Sequence, residues 1–307
     1  YFHDKYFCCQ VWSIFGPLSK RKYSKEINGI FTFNYLFIHG DNMIIELSEF
    51  FNNPSLISIG PLRVQYYAIT WLASAIFIYM FLKTNKIIIK LGLDKEKVND
   101  MVFLYGLFFG AICGGRIGYM FFYGSSQLIE NPLSLFYVWQ GGLSFHGGLA
   151  GVVASLFIFS RKNSIEFLRL MDAVALSMPI GLGLVRIGNF LNGELYGRQT
   201  DGSWGFIFPT DPFGFMRHPS QLYESFGEGF LLFFLLLFIS KISKAHGVVC
   251  SSFLILYGAI RFIIEFFRQP DAHMGFVALD YISMGQLLCI PMIIIGLVML
   301  VFTRKKV

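Results

Sequence analysis

GFLLFFLLLFI, residues 229–239, contains no polar side chain. Extended to 219–240, it supplies the roughly 20 mostly apolar residues a helix needs to cross about 30 Å of hydrocarbon. Six further runs of this kind flank it, at 64–82, 101–123, 142–160, 171–191, 247–267 and 281–303. The third is weakened by glycine and the fourth by Pro179. The whole chain agrees: 307 residues, 55% hydrophobic, 18% aromatic and 14% charged. That is neither a soluble nor a disordered composition, and the net charge of +6 is read as loops facing anionic lipid, with no nucleic-acid partner. The expected fold is all-α: a polytopic membrane protein of about seven transmembrane helices with a small outer head.

Loop charges orient the spans. The connections after spans one, three and five, together with the C-terminal end, carry 13 Lys and Arg, and the alternate connections carry 3. Basic short loops stay cytoplasmic. The N-terminus is therefore expected outside and the C-terminus in the cytoplasm, with the longest hydrophilic connection, 192–218, forming the outer head. Residues 1–42 show no signal-peptide pattern, and Met43 stands before an amphipathic stretch. They are expected to be a non-native or disordered extension, with one integral-membrane domain over 43–307.

Cys8, Cys9, Cys113, Cys250 and Cys289 have no CxxC spacing, and the six histidines form no HExxH or Cys/His cluster. No disulfide, metal or cofactor is expected. Ionisable groups inside spans are costly and functional by default. Arg116, His146, Asp172, Arg186, Arg261 and Glu265 meet that description. All but Asp172 fall toward the outer end of their spans; Asp172 lies near the inner end and reads as a structural partner for a cytoplasmic base. Arg116, Arg186, Arg261 and Arg268 outnumber the nearby Glu194 and Glu265, which leaves positive charge for an anion such as a phospholipid headgroup. The alternative is a set of buried ion pairs that only fasten helices, as Arg261 and Glu265 at i, i+4 would do.

Glycines form stripes for close helix approach: Gly110, Gly114, Gly115 and Gly118 in span two, Gly147, Gly148 and Gly151 in span three, and Gly181, Gly183 and Gly188 in span four. His146 sits against the Gly147–Gly148 pair, and an imidazole is a natural base near neutral pH. Asn189, three residues after Arg186, shares its helix face. Pro219 suits the first turn of span five, followed by Gln221, Tyr223 and Glu224.

FHGGLAG (145–151), RIGNFLNGELYGR (186–198), RHPSQLYE (217–224), YGAIRFIIEFFRQPD (257–271) and YISMGQ (281–286) together resemble the bacterial prolipoprotein diacylglyceryl transferase family, over about Ser58 to Val301. The stretch from Gly197 to Met216 looks shorter than in some members. The resemblance implies an enzyme of the bacterial cytoplasmic (inner) membrane with a periplasmic head. It would transfer the diacylglyceryl group of phosphatidylglycerol to the lipobox cysteine of a preprolipoprotein signal peptide, forming a thioether and releasing glycerol phosphate, the first step of lipoprotein maturation. By similarity Arg186 and Arg261 grip the phosphate and His146 binds or deprotonates, these three being the catalytic set. Tyr67, Arg116, Asn189, Glu194, Glu265 and Arg268 are implied as substrate-binding or network residues. His218, Gln221, Tyr223 and Glu224 match the head motif as supporting residues. Phosphatidylglycerol, the preprolipoprotein and membrane lipids are the implied partners. A transporter or flippase for an anionic lipid or solute is the alternative; the clustering of charge at one depth and the lack of an evident inverted repeat oppose it.

Overall fold

The computed structural model describes residues 62–200, 204–270 and 282–304, together with short strands at 24–27, 31–34, 36–39, 42–46, 55–59 and 276–278. The extension expected at 1–42 lies largely outside the described residues, as do Cys8, Cys9 and Tyr281.

Among the described residues, seven long helices correspond to the seven apolar runs. They are α1 Tyr66–Thr84, α2 Lys95–Phe122, α3 Phe145–Lys162, α4 Phe167–Leu191, α5 Ser220–Ile242, α6 Val248–Ile264 and α7 Met284–Arg304. Four of them (α2, α4, α5 and α7), and α1 continued through Lys90, are long and apolar enough to cross a membrane by length and composition. α3 falls short because its 18 residues begin at a His-Gly-Gly stretch and end on Arg161 and Lys162; α6 has 17 residues. Pro179 does not break α4, which runs for 25 residues through it. Large apolar side chains such as Trp71, Phe108, Phe234, Ile294 and Phe302 point outward, as a lipid-facing surface requires.

Close packing follows the glycines. A Cβ on Gly114 would lie 2.7 Å from the Gly151 Cα, and one on Gly118 2.6 Å from the Gly147 Cα, so α2 and α3 touch backbone to backbone. With no hydrophobic drive between helices in lipid, such approach supplies the dispersion contact that holds them. Elsewhere Leu82, Ile88, Met101, Phe159 and Leu170 form one buried apolar cluster, and Leu176, Leu232, Leu236 and Val249 another.

Asp172, fully buried in α4, accepts hydrogen bonds from the backbone N–H of Gly247 at 2.8 Å and Cys250 at 2.9 Å. It caps the N-terminus of α6 from a neighbouring helix, where orphan N–H groups and the helix dipole favour a carboxylate. Its basic partner, Arg169, is 3.7 Å away on the same helix. The expected structural role therefore holds, but the helix end is the nearer partner.

Contacts divide the chain into two compact units, Tyr1–Pro54 with Arg198–His218, and Ser55–Gly197 with Pro219–Val307. In the first, strands Leu36–His39, Asn42–Glu46, Trp204–Ile207 and Met216–Arg217 form a four-stranded sheet in that order, with Asn42–Glu46 and Trp204–Ile207 parallel. Within this unit Asp211 binds Arg217 through two hydrogen bonds of 2.9 and 3.0 Å and accepts the N–H of Phe213 and Phe215. Burial works to raise the Asp211 carboxyl, but the Arg217 hydrogen bond and charge and the two backbone donors outweigh it and hold it below the ordinary range. The seven helices all belong to the second unit.

Candidate active site

α4 ends just past Arg186. Its last turn closes on Asn192, and the chain reverses through Gly193 and Leu195, both left-handed at φ of 66° and 58°. Glycine takes that conformation freely and leucine does not, so Leu195 stores backbone strain beside a polar cluster. The reversal sends Glu194 back onto α4. Asn189 Nδ2 donates to Glu194 Oε1 at 3.0 Å, and Arg186 donates to Asn189 Oδ1 at 3.3 Å. The start of α5 is tied to the same turn, because Gln221 Nε2 donates to the Glu194 carbonyl at 2.7 Å and Ser220 Oγ to the Leu195 carbonyl at 3.2 Å.

α5 contributes two carboxylates one turn apart, Glu224 and Glu228, both 1% exposed. Just after Glu224 the helix widens to i→i+5 hydrogen bonding over Ser225–Leu231, a distortion that often marks functional positions. α6 brings Arg261 into this space. Its Nη1 lies 3.1 Å from Glu224 Oε2 and 3.3 Å from Glu228 Oε1, and its Nη2 lies 2.8 Å from Glu265 Oε2. Arg186 Nε reaches the same Glu224 Oε2 at 2.6 Å. Two guanidiniums from different helices thus converge on one oxygen. Arg268 adds contacts to Glu265 at 3.4 Å and to Glu224 at 3.8 Å. Just before α7, Ser283 Oγ donates to Glu265 at 3.0 Å, and Gln286 Oε1 in the first turn of α7 accepts the Ser283 N–H at 3.1 Å.

The charge count differs from expectation. Three guanidiniums face three buried carboxylates, Glu224, Glu228 and Glu265, with Glu194 at the exposed edge. The cluster has no cationic surplus, contrary to the spare positive charge expected from the sequence. The reason is that α5 points Glu224 and Glu228 inward, where desolvated arginines need counter-ions. The oxygens of Glu224 lie within ionic reach of arginine, yet neither has an aligned hydrogen-bond donor. Glu224 is held by charge and not by directed bonds.

The structure joins Arg186, Asn189, Glu194, Gln221, Glu224, Arg261, Glu265 and Arg268 into one network. Tyr67 lies on α1, which approaches Gly188 so closely that a Cβ there would collide with Thr70 Oγ1 and lie 3.3 Å from the Tyr67 Cα. Tyr223 packs edge-on against Phe267 at 5.7 Å. His218 belongs to the other unit, where its N–H donates to the Arg198 carbonyl at 3.0 Å. His146 is exposed in the first turn of α3 with its ring edge-on to Phe145, and no hydrogen bond or ion pair links it to the cluster among the described residues. Arg116 also stands apart. It is 3% exposed, and its guanidinium donates to the backbone carbonyls of Ser134, Leu135, Gly141 and Gly142. The expected role of Arg116 as an anion contact finds no support in this geometry.

Glu228 lies outside the motifs quoted from the sequence, and Ser283 and Gln286 fall inside YISMGQ with no role assigned to them. Glu228 carries a clear signal, being the one charged residue in 225–240. Among the described residues no group of three or more His, Cys, Asp or Glu is arranged to hold a metal ion.

Residues 54–302 match the family model described as prolipoprotein diacylglyceryl transferase. The chain is 44% identical over 253 residues to a protein of Photobacterium profundum, covering 82% of this chain and 94% of the relative. It is 46% identical over 254 residues to one from Pseudoalteromonas translucida, covering 83% and 94%. It is 41% identical over 254 residues to one from Ectopseudomonas mendocina, covering 83% and 95%. Each of these relatives is named phosphatidylglycerol-prolipoprotein diacylglyceryl transferase.

Proposed function

The chain belongs to the prolipoprotein diacylglyceryl transferase family, and from that membership we infer that it is a membrane-embedded transferase. It moves the diacylglyceryl group of phosphatidylglycerol to the thiol of a cysteine in a preprolipoprotein. That cysteine is proposed to be the one in the lipobox of the preprolipoprotein signal peptide. The inner membrane is the proposed location, and the bias of 13 basic residues to 3 supports a cytoplasmic C-terminus.

The reaction is a displacement at the glyceryl carbon that carries the phosphate ester. The thiol proton goes to a base, a carbon–sulfur bond forms as the carbon–oxygen bond breaks, and the electron pair leaves on glycerol phosphate. A free thiol has a pKa of about 8.5, so deprotonation needs help near neutral pH. The departing phosphate needs fixed positive charge in a water-poor site.

The observation that carries the site assignment is the convergence of Arg186 and Arg261 on Glu224 Oε2, at 2.6 and 3.1 Å. Two forks that already share a carboxylate oxygen are spaced to share a phosphate oxygen, and a carboxylate without aligned donors is the one that gives way. In this reading Glu228 and Glu265 keep Arg261 in place when Glu224 yields. Asn189 and Glu194 hold Arg186 at its own end of the cluster, while Gln221 and Arg268 buttress the network. Tyr67 closes the lipid side. His146, exposed on α3, is the proposed base, meeting the thiol as the peptide arrives. No enzyme nucleophile is required, because the substrate supplies the sulfur.

The test is direct. Purified protein given phosphatidylglycerol and a lipobox peptide releases glycerol phosphate, and Arg186→Ala stops the release while the protein remains folded. Release unaffected by Arg186→Ala rejects the phosphate-binding assignment.

A further inference from the structure

Arg116 is a buried cation with no carboxylate partner among the described residues. Its charge is met by carbonyl dipoles. Nε donates to Leu135 O at 3.2 Å, Nη2 to Ser134 O at 2.6 Å, and Nη1 to Gly141 O and to Gly142 O at 3.3 Å. A guanidinium has five N–H donors. With four carbonyls engaged, Arg116 has no free fork left for a phosphate.

What it holds is the connection that leads into α3. Gly141 and Gly142 are consecutive left-handed residues, at φ of 82° and 78°. The Tyr119 ring occupies the place a Gly142 Cβ would take, 2.5 Å from it, and lies 5.7 Å from the Arg116 guanidinium. The Ser144 N–H donates to the carbonyl of Gly115, the residue before Arg116, at 2.9 Å. Ser144 Oγ then caps α3 by accepting the Gly147 N–H at 3.3 Å. His146 lies between these last two residues, on a helix whose Gly147 is pressed against Gly118. One turn of α2 therefore fixes the loop, the cap and the first turn that carries the imidazole.

We propose that Arg116 is a positioning residue for His146: its guanidinium gathers the Ser134–Gly142 carbonyls and so sets where the imidazole meets the thiol. This rests on the reading of His146 as the base. An arginine that touches phosphate and one that places a base differ in kinetics, since losing the first weakens binding of the anionic lipid and losing the second slows the chemical step.

The test uses the full-length protein with phosphatidylglycerol and a lipobox peptide. Arg116→Lys keeps the charge but not the planar fork; kcat falls by about tenfold or more while KM for phosphatidylglycerol stays within about twofold. Gly142→Ala, which leaves Arg116 intact and disturbs the same loop against Tyr119, gives the same split. A KM rise in Arg116→Lys that matches that of Arg186→Lys, or kcat unchanged in both loop variants, overturns the proposal. His146→Gln is run alongside. If it is as fast as wild type, the base assignment itself fails; if it is slow while Arg116→Lys is normal, only the positioning role fails.

Discussion

Replacing Arg261 by lysine keeps a positive charge among Glu224, Glu228 and Glu265 but removes the fork. In the structure Nη1 serves Glu224 at 3.1 Å and Glu228 at 3.3 Å, while Nη2 serves Glu265 at 2.8 Å. A single ammonium cannot stand in both places, so one arm is lost. A hydrogen bond to a charged group contributes about 1.5–3 kcal/mol. If that arm acts on the departing phosphate, kcat/KM falls about 10- to 150-fold, at 1.36 kcal/mol per tenfold. Because the carboxylates keep a counter-ion, the stability cost stays below the about 3–5 kcal/mol expected for removing one partner of a buried pair. The assay is the initial rate of glycerol phosphate release from phosphatidylglycerol with a lipobox peptide, with thermal unfolding measured in the same detergent. A kcat/KM within about threefold of wild type, in a protein that unfolds at the same temperature, refutes the phosphate-fork reasoning.

His146→Gln slows the reaction most at acidic and neutral pH and recovers in part as pH approaches the thiol pKa of about 8.5, read from the pH–rate profile; a loss of the same size at every pH contradicts the base role. Asp172→Asn, at the cap of α6, costs about 1–2 kcal/mol in unfolding measurements and leaves KM unchanged. Gly114→Ala drives a methyl group into the Gly151 backbone, 2.7 Å from its Cα, and lowers the unfolding temperature more than Gly148→Ala, where the nearest atom is the Ala111 carbonyl oxygen at 3.4 Å. Because Asp211 titrates below its ordinary value of 3.8, its contribution is fully present above that value and is lost as pH falls through the lower folded value. The exchange protection of residues 211–217, taken relative to the intrinsic rate at each pH, therefore falls on acidification in wild type, and Asp211→Asn removes that pH dependence.

The spans were legible because a membrane helix must satisfy its backbone internally and show lipid an apolar surface, which leaves long runs such as 229–239. The glycine stripes were legible too, since Gly114 and Gly118 against Gly151 and Gly147 recur at helical spacing. Charge balance was not. Depth along the sequence grouped Arg116 with Arg186 and Arg261, but only packing reveals that Arg116 spends its donors on carbonyls while Arg186 and Arg261 meet at Glu224. Glu224 belongs in sequence to a motif at the head, and Glu228 borders the unbroken apolar run 229–239. Both are counter-ions supplied from a different helix, and a pairing between helices leaves no mark in the spacing of either one. Asp172 gave the right sense of its role and the wrong principal partner for the same reason, because the start of α6 is 75 residues or more away in sequence.

The most direct test of the central claim is a structure of the protein with phosphatidylglycerol bound. The phosphate is expected within hydrogen-bond distance of both Arg186 and Arg261, with Glu224 moved off the oxygen position it shares between them. A phosphate held elsewhere, with the Arg186–Glu224–Arg261 contacts unchanged, contradicts it.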